Sequence, residues 1–307
     1  MSGRVIVITG PTATGKTALG ARLALELGSE VISADSMQIY EHMDIGTAKP
    51  TEEEMLGVPH HMIGCVSPFE SYSVSRYVED GSRIADELIA RGKIPVIVGG
   101  TGLYIDSLIA GTAFAAQGSG KEREALNREY DEAGGEAMLQ RLRQVDPASA
   151  DKLHPSDRRR IVRALEIHAL TGMAKSALDE ATRTVPPRYD AVKIALSFAD
   201  RADLYERIDR RVDGMMACGL LEEVRSLLDM GLSEEHTAMQ AIGYKELSAA
   251  LRGECTVQEA VDAVKRGSRR YAKRQLSWLR RDETLNWLLW AKTPDIPAGL
   301  LFSTKFL

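Results

Sequence analysis

The residues of this 307-residue chain best suited to chemistry cluster in its first forty positions. Gly10, Pro11, Thr12, Ala13, Thr14, Gly15, Lys16 and Thr17 match the pattern G-x-x-x-x-G-K-[ST], directly after an apolar run and directly before a helical pattern. Glycines there let backbone N–H groups curl around an anion, and a helix N-terminus adds partial positive charge. Lys16 can neutralise phosphate oxygens, and the Thr17 hydroxyl can ligate Mg²⁺. Such a loop does not by itself choose among kinase, ATPase, GTPase and other phosphate chemistry. Asp35 ends the next apolar run, where parallel sheets keep their ligands. By position alone it reads equally as a helix N-cap, a carboxylate behind a Mg²⁺ ion, or a catalytic base.

These groups need a scaffold that brings distant segments to one edge. Residues 4–9, 31–34 and 94–98 are short β-branched runs ending at turn or polar residues, as strands buried on both faces do. Helical patterns over Thr17 to Leu27 and Val74 to Ala90 lie between them. The alternation predicts an α/β fold: a P-loop NTPase-like core with a parallel sheet flanked by helices. From Ala113 to Gly120 the chain turns Gly/Ala/Ser-rich, like a linker, and then charged and helix-favouring to about Thr182. The expected organisation is a core of residues 1–112 and 191–307 carrying an all-helical insertion, 113–190. Val192 to Phe198 reads as a further core strand and Leu204 to Leu228 as one long helix; the last fifteen residues carry little pattern.

The net charge of −5 argues against a wholly nucleic-acid-binding surface, but its distribution is uneven: −6 over residues 1–120, 0 over 121–190 and +1 over 191–307. Lys265 to Arg281 holds eight basic residues and no acid, interleaved with Tyr271 and Trp278. On the residues alone both aromatics read as core, Trp278 above all, with the charges covering them. Cys65, Cys218 and Cys255 form no C-x-x-C pair, so neither a disulfide framework nor a zinc knuckle is suggested. No run approaches membrane-spanning length and no export signal stands at the start, which points to the cytoplasm. His60 and His61 lack partners at metal-ligand spacing and are expected to be structural or substrate-lining. Nothing demands more than a monomer.

Further blocks narrow the reading. Asp35-Ser-x-Gln-x-Tyr40, Asp44-Ile-Gly-Thr-Ala-Lys-Pro50, Pro59-His-His61, Gly99-Gly-Thr-Gly-Leu-Tyr104, Gly243-Tyr-Lys-Glu246 and Tyr271-Ala-Lys-Arg-Gln-x-x-Trp-Leu-Arg280 together resemble the tRNA dimethylallyltransferase family, in order and approximate spacing over most of the chain. The resemblance implies transfer of a dimethylallyl group from dimethylallyl diphosphate to N6 of the adenosine at tRNA position 37, in the anticodon stem-loop. Asp35 would then be the general base, Thr101 a contact near it and the adenine, and Arg211 the pyrophosphate-binding arginine, supported by Arg207. Residues 10–17 and Mg²⁺ on Thr17 would stabilise the departing diphosphate. Asp35, Ser36, Met37, Gln38, Thr101, Arg123, Arg159, Arg160, Ile161, Val162 and Arg163 would meet tRNA. One departure stands out: the family usually carries an acidic residue after the His-His block, where this chain has Gly64 and then Cys65-Val66-Ser67.

On the residues themselves, Arg207 and Arg211 share a helix face that acids at 206, 209 and 213 could equally make an ordinary salt-bridged surface. Arg158 to Arg163 form a basic run whose helix carries Ile161 and Leu165 on its other side; such runs are usually only solvated. An adenylate isopentenyltransferase acting on free nucleotide would share the loop and chemistry but lack RNA-binding surface. A small-molecule kinase would explain the loop alone, and a non-catalytic RNA binder would leave Asp35 unexplained.

Overall fold

The computed structural model describes residues 3–112, 114 and 120–306. In chain order the elements are β1 (Gly3–Thr9), α1 (Lys16–Glu26), β2 (Val31–Ser33), α2 (Glu52–Met55), β3 (His60–His61), α3 (Val74–Ala90), β4 (Val96–Gly99), α4 (Gly102–Ala110), α5 (Lys121–Val145), α6 (Pro147–Ala150), α7 (Arg158–Thr171), α8 (Lys175–Arg183), β5 (Tyr189–Phe198), α9 (Arg201–Ala217), α10 (Leu220–Asp229), α11 (Tyr244–Leu251), α12 (Val257–Leu279), β6 (Asn286–Trp290) and α13 (Ile296–Ser303). The six strands form one parallel sheet in the order β3-β2-β4-β1-β5-β6. β1 is central, with Thr9 in register with Gly99 on one side and Ala195 on the other.

Side chains alternate across a strand, so Ile6 and Ile8 face the cluster that includes Leu19 and Leu23 of α1, Leu196 and Trp290, while Val5 and Val7 point the opposite way. All four β1 residues are buried, which is why the strand reads as continuously apolar rather than alternating. The register also explains how the site is assembled. Thr9, Ser33 and Gly99 end three neighbouring strands at one edge, and the phosphate loop, Asp35 and Thr101 each follow within two residues of such an end or directly from it. Ala34 crosses Gly99 so tightly that a Cβ there would lie 2.2 Å from the Ala34 carbonyl oxygen. A side chain at position 99 would push the Asp35 and Thr101 turns apart.

By contacts the chain separates into two compact units, residues 1–111 with 187–307 and residues 112–186. The second is a four-helix unit, α5 to α8, with its own core of Leu126, Met138, Leu139, Leu142, Ala150, Ile161, Val162, Ala164 and Leu165. The expected Ala113 to Gly120 linker lies largely outside the described residues. β5 starts at Tyr189, ahead of the apolar run at Val192, because the Tyr189 hydroxyl is tied down by Asp86 at 2.7 Å.

Three expectations need correction. Leu204 to Leu228 is two helices, not one: α9 stops at Ala217, and Gly219, with φ +97°, turns the chain into α10. The apolar spacing continues across the break, so periodicity alone hides it. The last fifteen residues are not featureless, since α13 packs Ile296, Leu300 and Phe302 into the main core, capped by Asp295. Trp278 is not in the core: it is 40% exposed, with its indole N–H donated to Asp106 at 2.8 Å.

Candidate active site

Lys16 and Thr17 open α1, whose first N–H groups have no side-chain cap and face the loop that precedes them. Elements remote in sequence brace that loop. The Trp290 indole donates to the Thr14 carbonyl at 2.9 Å, Arg207 Nε donates to the Ala13 carbonyl at 3.2 Å, and the Thr12 N–H donates to Gln275 Oε1 at 3.0 Å. Within the loop, Thr14 and Lys16 both donate to the Pro11 carbonyl, each at 2.8 Å. Burial, and then the neighbouring Arg211 guanidinium, bring the Lys16 ammonium down to about 7, against the opposing pull of Asp35. Burial also lowers Arg211, while Asp35 and Glu54 favour its charge, and Arg207 is lowered by burial and by Arg210. Three cationic side chains thus converge where no protein anion neutralises them fully, as an anion receptor requires.

Asp35 is held by its own turn. Oδ1 accepts from the Met37 N–H at 2.9 Å and the Gln38 N–H at 3.4 Å, and these are its only described hydrogen bonds, so Oδ2 remains available for a substrate proton. Thr101 Oγ1 accepts from the Ser36 N–H at 3.1 Å, tying the strand-4 turn to the Asp35 turn. Behind both stands α12: burial of the Tyr271 hydroxyl, followed by the nearby Asp35, pushes its ionisation up to about 12, with Thr101 and Gln275 acting the other way. Gln275 Nε2 donates to the Gly100 carbonyl at 2.9 Å while its oxygen holds Thr12, so one buried amide joins the phosphate loop to the Thr101 turn.

These groups border a cavity of about 690 Å³. Its lining includes Lys16, Arg207 and Arg211, then Asp35 and Tyr271, and the apolar Ile208, Val212, Met215, Leu220, Ile242 and Val264, of which Met215 and Ile242 keep accessible surface while the other four are buried. The residues also fit a magnesium ion. The Thr17 hydroxyl makes no hydrogen bond among the described residues and opens into the same cavity as Asp35, and Mg²⁺ characteristically takes one or two protein oxygens, completing its shell with phosphate and water.

Comparison with known proteins decides the family. The IPP transferase model matches residues 38–282 and the isopentenyl transferase model residues 3–63. The tRNA dimethylallyltransferase of Carboxydothermus hydrogenoformans is 47% identical over 288 residues, covering 94% of this chain and 92% of that one. The chain belongs to the IPP transferase family. Among solved structures, the full-length tRNA isopentenylpyrophosphate transferase of Bacillus halodurans is 39% identical, with a TM-score of 0.71 and 99% of each chain covered. A eukaryotic dimethylallyltransferase acting on tRNA is 31% identical, with a TM-score of 0.78, over 91% of this chain and 70% of that one.

Seen as an IPP transferase, the chain brings together Asp35, Thr101, Arg211 and residues 10–17, all of which the sequence singled out. Tyr271, Gln275 and Trp290 were not assigned to the site in advance. The first two lie inside a quoted motif, four residues apart on one helix face, and that spacing was the available signal. Trp290 had none, since its contact with Thr14 spans 276 residues. Gln38 uses its side chain internally, accepting from Ser33 Oγ at 3.0 Å and donating to the Ala48 carbonyl at 3.0 Å. At Gly64, where relatives are expected to carry an acid, φ is +53° and a Cβ would lie 3.3 Å from Lys49 Nζ; here Asp44 takes that ammonium instead, at 2.6 Å. His61 bonds Glu30 at 2.7 Å and His60 the Val58 carbonyl at 2.8 Å, so both serve β3.

The helical unit sorts the remaining family residues. Arg123 and Arg163 both bind Glu166, whose side chain is 2% exposed, at 2.9 and 2.7 Å. Arg159 and Arg160 are exposed on α7, whereas Ile161 and Val162 are 0% and 3% exposed in the unit's core. The side chains of Ile161 and Val162 are therefore not at the surface, and their part is to seat the helix that carries the arginines. On α12, Lys265 and Arg269 are neutralised by Asp213 and Asp209 of α9, while Arg266, Arg270, Lys273, Arg274 and Arg280 are exposed.

Proposed function

We propose that this chain transfers the dimethylallyl group of dimethylallyl diphosphate to N6 of adenosine 37 in tRNA, releasing pyrophosphate. The observation that carries the reading is the shared cavity: a cationic phosphate receptor, a carboxylate and apolar side chains of α9 line one space. The diphosphate would occupy residues 10–17 with Lys16 and Arg211, and the allylic chain would lie against Ile208, Val212 and Met215. The adenine N6 attacks the allylic carbon as its bond to the diphosphate oxygen breaks. The amine, delocalised into the ring and weakly nucleophilic at first, becomes acidic as the C–N bond forms, and Asp35 Oδ2 takes its proton. A base so placed contributes roughly 10²–10⁴ in rate. Mg²⁺ held by Thr17 and the substrate phosphates would neutralise charge building on the leaving group.

An adenine inside an anticodon loop must be extruded and its neighbours held, which calls for cations outside the cavity. Arg123, Arg159, Arg160 and Arg163 and the exposed arginines of α12 suit phosphate contacts that position rather than read sequence. The reading places the enzyme with its tRNA in the cytoplasm, acting as a monomer; no described helix is long and apolar enough to cross a membrane. The test supplies radiolabelled dimethylallyl diphosphate and Mg²⁺ to an unmodified anticodon stem-loop with adenosine at position 37, or to AMP, using wild type and Asp35→Ala. Label in the RNA, lost in the variant, is expected. Label in AMP alone would make the enzyme an adenylate isopentenyltransferase, and none in either acceptor would redirect attention to ATP-dependent phosphate transfer.

A further inference from the structure

Two motif blocks, Asp44 to Pro50 and Gly243 to Glu246, have no part in the chemistry above, yet they meet at one side chain. Glu223 on α10 accepts three successive backbone N–H groups: those of Asp44 at 2.8 Å and Ile45 at 2.7 Å on Oε2, and that of Gly46 at 3.0 Å on Oε1. The Tyr244 hydroxyl donates to Oε1 as a fourth partner, at 2.6 Å. Burial, and then Glu223, push the ionisation of that tyrosine upward, so it stays a donor. Its ring presses on the loop so closely that a Cβ on Gly46 would lie 2.6 Å from ring atoms. Position 46 thus has room only for glycine, and the loop is pinned from above by Tyr244 and from the side by Glu223.

The far end of the same loop reaches the reacting groups. Thr47, Ala48 and Lys49 line the substrate cavity, and the Thr47 and Ala48 carbonyls accept from Gln38, three residues from Asp35. Loop and carboxylate share Gln38, but Asp35 does not depend on the loop: its shorter hydrogen bond, 2.9 Å against 3.4 Å, comes from the Met37 N–H, and the neighbouring Ser36 N–H is held by Thr101. From this division we infer that Glu223 is a positioning residue: acting through the three amides of Asp44 to Gly46, it keeps the Thr47–Lys49 wall closed against the diphosphate end of the cavity. It governs substrate capture rather than the chemical step. The break at Gly219 is what allows this, since it redirects α10 so that Glu223, four residues on, reaches the loop.

The inference rests on the function proposed above, and its test separates the two. Glu223→Gln keeps size and shape but turns one acceptor end into an amide donor facing donors. Hydrogen exchange should show the amides of Asp44, Ile45 and Gly46 opening faster in the variant while the β1 and β4 amides stay protected, which also reports that the fold is intact. In steady-state transfer, KM for the allylic diphosphate should rise about tenfold with kcat within about threefold of wild type, and KM for the RNA should be unchanged. Tyr244→Phe, losing one donor of four, should move the same quantities less. Unchanged exchange at residues 44–46, or a fall in kcat with KM unaltered, would overturn the assignment. Should wild type prove inactive in transfer, the proposed reaction fails, and the pyrophosphate affinities of wild type and Glu223→Gln decide the wall on their own: a tenfold difference supports it and equality removes it.

Discussion

Lys16 makes proton uptake a signature of diphosphate binding. In the free protein its ammonium titrates near 7 because burial and Arg211 outweigh Asp35. A bound diphosphate would reverse that balance by placing a compact anion against the ammonium, raising its pKa toward or beyond the ordinary 10.5. At pH 8 only about a tenth of the free protein carries the proton, so binding should take up close to one. The sign follows: binding favours the protonated lysine, so affinity is full below pH 7 and falls by roughly tenfold per pH unit from 7 to 9, about 1.4 kcal/mol each. A non-reactive thio analogue of dimethylallyl diphosphate, whose own last ionisation is complete in this range, isolates the effect. Calorimetry in buffers of different ionisation enthalpy counts the protons directly. Lys16→Arg, charged throughout, should flatten the dependence whatever it does to absolute affinity. Arg211→Gln should move the inflection to higher pH by removing the like charge. Affinity independent of pH between 7 and 9, with no proton uptake, would refute the argument.

Three further outcomes are expected. Asp35→Asn should lower kcat by about 10²–10⁴ with little change in KM for the diphosphate, because the turn made by Oδ1 survives while the proton acceptor does not; single-turnover rates check this. Trp290→Phe leaves the buried Thr14 carbonyl without its donor and should cost about 1–3 kcal/mol in denaturant unfolding together with a raised KM for the diphosphate. Arg160→Ala should weaken anticodon stem-loop binding without altering diphosphate affinity, and should reduce the slope of log affinity against log salt by about one.

The elements closest to the chemistry were the most legible. β1, the phosphate loop and α1 follow one another without a gap, so a local pattern carries both the fold and its purpose, and α3 ends at the residues its spacing indicates. What escaped was set by tertiary contact. β3 has two residues, too few for any period to register, and β6 and α13 are read only through Trp290 and Ile296 meeting the core. The α9–α10 break was visible as Gly219, but an unbroken apolar spacing outweighed a single glycine. Trp278 misled because an aromatic seven residues from Tyr271 shares its helix face, yet at the last turn of α12 the indole lies against Gly102, bonds Asp106 and carries the Arg281 guanidinium over its ring, and stays 40% exposed.

A phosphate loop ordinarily serves phosphoryl transfer, and what redirects it here is the company the loop keeps. In a phosphoryl-transfer site the acceptor must reach the terminal phosphate, so the groups around it need to be polar and aligned with phosphorus. In this cavity Lys16 and Arg211 share the lining with Ile208, Val212 and Met215 of α9, of which Met215 keeps accessible surface that a hydrocarbon could bury, at about 25 cal/mol for each Å², while Ile208 and Val212 are already packed in the core. Asp35 lines the same cavity, and under the proposed reaction it takes the proton of the incoming amine. Gln275 then makes the arrangement one unit, since the same amide that fixes Thr12 in the phosphate loop fixes Gly100 beside Thr101. A single side chain thus holds the phosphate loop and the turn beside Asp35 in register, so that under the proposed reaction the leaving group and the proton acceptor would be positioned together.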